Sequence, residues 1–101
     1  MADTMKLTVH PFRMGTDKEA ALKPLEEAAE AYASWQILDD AVTSGEDDGF
    51  TREYIEGERG MLADEIADCI TACCNLAARY DLDLQAAIER VERHNRDRGR
   101  Y

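Results

Sequence analysis

Two acidic clusters stand out in this sequence: residues 26–30, which read Glu-Glu-Ala-Ala-Glu, and residues 65–68, which read Glu-Ile-Ala-Asp. Each cluster lies in a segment that is predicted to be helical, and residues three or four apart in a helix share a face. Like charges at this spacing destabilise an isolated helix by about 0.2–0.5 kcal/mol. A divalent cation between the clusters would remove the repulsion, and carboxylate oxygens suit Mg²⁺ or Mn²⁺. The sequence therefore predicts a Mg²⁺ site held between two helices.

The predicted metal ligands are the paired carboxylates of the two clusters: Glu27, Glu30, Glu65 and Asp68. Four carboxylates carry more charge than one Mg²⁺ neutralises, so a nucleoside triphosphate arriving with its own Mg²⁺ would balance the site. Glu26 is then free to hold a second ion or to orient a water nucleophile for metal-assisted attack on phosphorus. Side chains that could hold the phosphates are Lys23, Arg79, Asn95, Arg96 and Arg98.

Other site chemistries fit the sequence less well. A di-iron carboxylate bundle needs Glu-x-x-His motifs, and the two histidines, His10 and His94, are not so placed. No Ser-His-Asp set and no Gly-rich phosphate loop is evident. Cys69, Cys73 and Cys74 lack the paired spacing of a zinc site, so we expect reduced thiols that behave as small hydrophobic side chains.

Length and composition predict a single domain over residues 1–101. Many of the hydrophobic residues are Ala and a small domain buries a modest core, so subunit pairing is expected to supplement it. The net charge of −10 argues against general nucleic-acid binding. No apolar run approaches the roughly 20 residues of a membrane span, and no signal pattern opens the chain, which favours the cytoplasm.

The charge is unevenly distributed along the chain. Residues 90–101 hold five Arg against Glu92 and Asp97, and five minus two gives a net charge of +3. A basic segment beside acidic helices suits an anionic substrate that carries a metal ion. Alternatively, the cations only complement the macrodipole at the C-terminus of a helix.

The first part of the chain is predicted to contain an N-terminal arm, residues 1–16, and a long helix. Residues 5–12 alternate weakly in polarity, which indicates an extended arm or an edge strand. The helix is expected from about Asp17, a plausible N-cap, to about Val42, or from near Lys23, just before Pro24. Its predicted buried stripe consists of Leu22, Leu25, Ala29, Tyr32, Ala33 and Gln36.

An acidic, glycine-containing connection is predicted over residues 43–60, with a short helix from Thr51 to Glu58 inside it. A second long helix is expected from about Met61 to Tyr80. Its predicted apolar face consists of Leu62, Ile66, Cys69, Ile70, Cys73 and Ala77. The adjacent stripe consists of Asp68, Ala72, Asn75 and Arg79.

A tight turn over residues 81–83 is predicted to lead into a third helix from about Leu84 to Arg96, with Asp83 as its N-cap. The residues of this helix that are expected to face inward are Leu84, Ala87, Ile88 and Val91. The predicted fold is therefore an all-α bundle of about three main helices, completed by pairing of subunits.

From about Lys18 to Tyr101, the chain resembles the MazG-type all-α nucleoside triphosphate pyrophosphatases. Glu-Glu-x-x-Glu at 26–30 followed by Glu-x-x-Asp at 65–68 is similar to the paired signature of that family. Residues 68–84 resemble the second core helix and the turn after it, and residues 94–100 resemble the C-terminal Asn and Arg segment. Trp35 is similar to an aromatic of dCTP-pyrophosphatase-like members.

This resemblance implies Mg²⁺-dependent hydrolysis of an NTP or dNTP to the monophosphate and pyrophosphate, with Mn²⁺ as a possible substitute, in a homodimer or homotetramer. The residues that match the family's catalytic acids are Glu26, Glu27, Glu30, Glu65 and Asp68. By the same resemblance, Asn95 and Arg98 would approach the phosphates and Asn75 would reach the sugar or base. Trp35 would stack on the base, or else be a core or interface aromatic.

The chain departs from the family pattern at one place. Glu30 and Glu65 are separated by 34 residues, more than is usual for the family, and the excess lies in residues 43–60. This segment is expected to be a lid over the nucleotide or an oligomer contact. The alternative function, from another class, is a small acidic helical interaction module without catalytic activity, whose acidic faces are only solvated.

Overall fold

The structure is a computed structural model that describes residues 4–44 and 49–101. Within these ranges the regular structure is entirely helical, with α1 at Asp17–Ser44, α2 at Gly49–Arg79 and α3 at Leu84–Asp97. The prediction of an all-α fold with three main helices is confirmed. None of these helices combines the length and the apolar character that a membrane crossing requires.

Helix α1 begins with a reciprocal cap between Thr16 and Glu19. The Thr16 hydroxyl accepts a hydrogen bond from the Glu19 amide at 3.2 Å, and the Glu19 carboxylate accepts one from the Thr16 amide at 3.0 Å. This capping box satisfies two backbone donors at the start of the helix. The cap is therefore Thr16 rather than the predicted Asp17, and the helix runs through Pro24 instead of starting near it.

Gly15 sets the path of the chain into α1. Its φ is +64°, and a Cβ placed there would lie 3.0 Å from the carboxyl group of Glu19. Alanine would strain the backbone and displace the capping side chain. We expect Gly15→Ala to lower the free energy of unfolding by about 1–2 kcal/mol in urea denaturation. Gly57→Ala, in open space within α2, is the matched control and should raise it by about 0.5–1 kcal/mol; equal losses in both would contradict this account.

Helices α1 and α2 pack against each other in antiparallel orientation. Asp17 pairs with Arg79, and the Cys69 thiol lies 3.7 Å from the Pro24 carbonyl oxygen, so the contacting residue numbers rise on one helix and fall on the other. Buried and half-buried positions recur at alternating intervals of three and four, as in a coiled coil. On α1 they are Pro24, Glu27, Ala31, Ser34, Leu38 and Ala41, and on α2 they are Ile55, Glu58, Leu62, Glu65, Cys69, Ala72 and Leu76.

The predicted buried stripe of α1 does not face α2, and this prediction was wrong for the single chain. Leu25 is 69% exposed and Tyr32 is 60% exposed. On α2, Ile66 and Cys73 are likewise exposed, whereas other members of the predicted face are half-buried or buried. Most seam positions of α1 carry small or polar residues, and the large apolar side chains of its predicted stripe lie outward.

Most of the predicted connection over residues 43–60 is helix. Helix α2 begins at Gly49 and continues without a break for 31 residues, so the expected short helix is its first part. Ile55, Glu58 and Leu62 continue the seam spacing. Their packing offsets the cost of about 1 kcal/mol that each helical glycine carries relative to alanine. Residues 45–48 of the predicted connection lie outside the described residues.

The turn between α2 and α3 is as tight as predicted. The Leu82 amide bonds to the Ala77 carbonyl at 2.9 Å, and Asp81 has a φ of +52°, which together close a Schellman-type C-cap. The Asp83 carboxylate accepts from the Ala86 amide at 3.0 Å, so Asp83 is the N-cap of α3. At the other end of the chain, residues 4–14 form no helix or strand, so this segment is not an edge strand.

Candidate metal centre

The acidic clusters of α1 and α2 meet across the seam. One carboxylate oxygen from each of Glu27, Glu30 and Glu65 lies within 4.8 Å of the other two. Antiparallel packing explains this arrangement, because Glu27 and Glu30 lie one turn apart on α1 and Glu65 occupies the facing position of the α2 seam. Oxygens that bind one ion at about 2.0–2.6 Å lie at most about 4–5 Å apart. These three side chains, the carboxylate triad, therefore have the dimensions of a divalent-cation site.

Two oxygens of the carboxylate triad are buried without a donor. Glu27 is only 7% exposed; its Oε1 lies 3.1 Å from Lys23 Nζ, but its Oε2 finds no hydrogen-bond partner among the described residues. Glu65 Oε2 is in the same situation within that part of the chain. A buried carboxylate oxygen with no donor is costly. A cation bound between these groups would satisfy both oxygens, so the donor set fits the Mg²⁺ predicted from the sequence.

The electrostatics of the triad also favour a bound cation. The pKa of Glu30 is raised, chiefly because its carboxyl lies within hydrogen-bonding reach of Glu27, and further by the Glu27 charge, partial burial and Glu65. The neighbouring Glu27 carboxylate raises the pKa of Lys23 by accepting a hydrogen bond from it. One ammonium thus partly compensates three carboxylates, and carboxylates held this close favour a shared proton or a shared cation.

Glu26 and Asp68 lie beside the triad rather than in it. Both line a groove of about 800 Å³ that Glu27 also lines, so the groove adjoins the carboxylate triad. This volume is within the range of small-molecule sites. The Glu26 carboxylate lies 3.7 Å from Lys23 Nζ, and Asp68 is exposed. The structure therefore brings three of the four predicted ligands together, and the ligand role of Asp68 and the catalytic role of Glu26 stay predictions.

Comparisons of this chain with known protein families, with characterised proteins and with solved structures found no match. The resemblance to MazG-type enzymes therefore rests on the motif residues alone and stays a prediction.

Three of the predicted substrate-binding residues, Lys23, Asn75 and Arg79, line the groove. All three already have partners within the chain, and Lys23 pairs with Glu26 and Glu27 as described above. Asn75 Oδ1 accepts a hydrogen bond from the Phe12 amide at 2.8 Å. The Arg79 guanidinium pairs with the Asp17 carboxylate and donates to the carbonyl oxygens of residues 14 and 15. A nucleotide contact by either side chain would compete with these bonds.

The other predicted substrate-binding residues, Trp35, Asn95 and Arg98, do not line the groove. Trp35 stacks on Tyr32 with ring centroids 5.8 Å apart, on an exposed face of α1. Asn95 lies near the end of α3, and the Arg98 amide caps that helix by donating to the His94 carbonyl at 3.0 Å. These three residues do not line the groove of a single chain, so their roles stay predictions.

Sequence reasoning missed the segment before α1 as part of the site. Residues 11–15 line the groove together with Glu26, Glu27 and Asp68, although the sequence predicts only an N-terminal arm there. The available signal was the Thr-x-x-Glu capping box at 16–19 with Gly15 before it, which marks a sharp entry into the helix. That motif predicts the turn, but it does not predict which surface the preceding residues contact.

Cys69 and Cys74 are half-buried, as expected for small hydrophobic side chains, whereas Cys73 is exposed. Cys69, Cys73 and Cys74 are free. The pKa of Cys69 is raised, first by burial and then by the neighbouring Cys73, which keeps its sulfur protonated at neutral pH. A protonated, partly buried thiol is a poor nucleophile, so Cys69 is not a candidate for the catalytic group.

Proposed function

We propose that this protein is a Mg²⁺-dependent nucleotide pyrophosphohydrolase, which converts an NTP or dNTP to the monophosphate and pyrophosphate. The observation that carries the proposal is the carboxylate triad, with its two buried oxygens that lack donors, beside a groove of nucleotide size. The resemblance of the two acidic motifs to those of MazG-type enzymes supplies the substrate class.

In the proposed reaction, the oxygen of a water molecule forms a bond to the α-phosphorus, and the bond to the bridging oxygen between the α- and β-phosphates breaks. When bound, Mg²⁺ (or Mn²⁺) supplies a Lewis acid and an activated water. Glu27, Glu30 and Glu65 would hold the ion, and Lys23 would offset part of their charge. Glu26 and Asp68, on the groove side, are placed to accept the proton of the water or to hold the ion that accompanies the triphosphate.

We also propose that the active form is a homodimer or homotetramer in the cytoplasm. Two observations support subunit pairing: no large side chain is fully buried in the described part of a single chain, and α1 presents the stacked Tyr32–Trp35 pair on an exposed face. Burial of these aromatic rings between subunits would add the core that a chain of this length lacks.

The experiment that tests the proposed reaction is pyrophosphate release from a panel of NTPs and dNTPs, in millimolar Mg²⁺, in Mn²⁺ and in EDTA. We expect release with either metal, no release in EDTA, and a preference among the bases that names the substrate. Release of orthophosphate instead of pyrophosphate would contradict the proposed bond cleavage. No release from any nucleotide, with a melting temperature insensitive to Mg²⁺, would favour the interaction module.

A further inference from the structure

We propose that residues 11–16 form a strap that completes the substrate groove, and that Arg13 on this strap binds the phosphate groups of the substrate. The identity of the ligand as a nucleoside polyphosphate rests on the proposed function. The position of the strap rests only on contacts within the chain.

The strap is fixed to α2 on both sides of Arg13. Before it, the Phe12 amide donates to Asn75 Oδ1 at 2.8 Å. After it, Arg79 donates to the Met14 carbonyl oxygen at 3.3 Å and to the Gly15 carbonyl oxygen at 2.9 Å. The Arg79 side chain is only 9% exposed, and its ion pair with the first turn of α1 ties both helices to the strap. Three bonds from one largely buried guanidinium, together with the Phe12 amide bond, hold the strap backbone at several points along its length.

The strap and several of the carboxylates line the same groove. Residues 11–15 line the groove together with Lys23, Glu26 and Glu27 of α1 and Asp68 of α2. A ligand that fills the groove would therefore contact both the strap and Glu27 of the carboxylate triad. The strap is a wall of the proposed active site and not a separate surface.

The charges that line the groove indicate which part of a ligand the strap contacts. Three cations line it, and two are engaged: Lys23 with Glu27 and Glu26, and Arg79 with Asp17. Arg13 forms no ion pair in the described part of the chain, although its charge helps to lower the pKa of Asp17. A guanidinium with free donors matches the paired oxygens of a phosphate group. Arg13 is thus the lining cation best placed to bind phosphates.

This arrangement gives Asn75 and Arg79 a role different from the one inferred by resemblance. They act as positioning residues, because they hold the strap and reach the ligand only through it. Asn75 in direct contact with the sugar or base, as the resemblance implies, would act on the nucleotide independently of Arg13. The two roles predict different results when both residues are changed together.

The first test is the steady-state kinetics of Arg13→Ala with the preferred nucleotide. We expect KM to rise about tenfold or more, the size of a lost charge-assisted hydrogen bond, while kcat changes by less than about twofold. Arg13→Lys should recover part of the affinity. Arg52→Ala, which removes an equal charge from an exposed position on α2, is the matched control and should leave KM unchanged. An unchanged KM in Arg13→Ala would overturn the phosphate assignment.

The second test is a double-mutant cycle between Arg13 and Asn75. We expect Asn75→Ala to raise KM. Asn75→Asp keeps the accepting oxygen and should restore most of the affinity for the nucleotide. The double alanine variant should have a KM no higher than that of Arg13→Ala alone. If the factors by which the two single substitutions raise KM multiply in the double variant, Asn75 contacts the nucleotide directly and its positioning role is overturned.

The third test needs no catalysis and separates failure of the strap from failure of the proposed function. Trypsin cleaves after Arg13, and we expect cleavage there to be several-fold faster in Asn75→Ala than in the wild type; equal rates would overturn the strap. If no nucleotide is hydrolysed, calorimetry with inorganic triphosphate replaces KM. Binding that Arg13→Ala weakens would then support the strap site although the proposed reaction fails, and absent or unaltered binding would overturn it.

Discussion

Glu30→Gln is expected to reduce Mg²⁺-dependent pyrophosphate release by a factor of about 100 or more. Loss of a residue that only orients a metal ligand typically costs 10–100-fold in affinity or activity, so loss of a ligand itself should cost at least as much. Glu30 is exposed and its amide replacement is nearly isosteric, so the fold should survive. Glu27→Gln and Glu65→Gln should behave similarly, because one oxygen of each lies in the same cluster.

The control for these variants is Glu53→Gln, which removes the same charge from an exposed position on α2 away from the triad. It should retain full activity. Asp68→Asn addresses the fourth predicted ligand: a loss as large as that of Glu30→Gln would make Asp68 a ligand in the active complex, whereas a smaller loss would assign it to the groove. Full activity in Glu30→Gln and Glu27→Gln together would refute the metal centre.

Local signals explain how much of the fold was predictable. Asp83 has an N-cap side chain just before an apolar pattern, and the helix starts at the predicted residue. The interruption expected between the short helix that ends at Glu58 and the helix that starts at Met61 was wrong, because Gly60 is accommodated within a continuous α2 that packs against α1. Intrinsic propensities span about 1 kcal/mol, which tertiary contacts readily override.

The choice of buried face was not predictable from periodicity. Helix α1 has one face rich in large apolar side chains and another with Ala31, Ser34 and Leu38, and the second packs against α2. Small residues allow two helices to approach closely, and a partner within the chain competes for each face with a partner outside it. A single sequence predicts which residues share a helix face, but it does not predict which element packs against that face.

The carboxylate triad was predictable because its spacing is local on each helix and antiparallel neighbours then bring the helices together. The strap was not, because its contacts join residues 62 to 65 positions apart, such as Asp17 and Arg79. Helical periodicity predicts that Asn75 and Arg79 lie on one stripe beside the acidic residues, and both residues line the groove. Their partners depend on where the chain before α1 lies, which no local pattern encodes.

Mg²⁺ is expected to stabilise the protein strongly at neutral pH. A ligand that binds only the folded state adds about 2.7 kcal/mol to the free energy of unfolding when present at 100 times its Kd. For a domain of this size, that corresponds to roughly 10 °C or more in melting temperature. The measurement is thermal unfolding by circular dichroism in Mg²⁺ and in EDTA. In Glu30→Gln the difference should shrink to near zero, while the metal-free variant should melt above the metal-free wild type because one like charge is gone.

The pH dependence should change sign with the metal. The folded-state pKa of Glu30 is raised above its ordinary value of 4.5, so between these two values the folded state binds more protons than the unfolded state. In EDTA, this group therefore lowers stability as pH rises from about 4.5 through its folded pKa. Mg²⁺ binding needs the deprotonated carboxylate, so stabilisation by the metal should grow over the same interval.

Two other carboxyl groups, Asp17 and Glu19, have lowered pKa values and lose their contribution to stability as pH falls. They are present equally in Glu30→Gln, so the difference between the two melting curves isolates the triad. In EDTA we expect the advantage of the variant over the wild type to appear as pH rises above about 4.5 and to level off beyond the folded pKa of Glu30. An equal difference in melting temperature between the variant and the wild type at every pH would mean that ionisation of Glu30 is not what destabilises the metal-free protein.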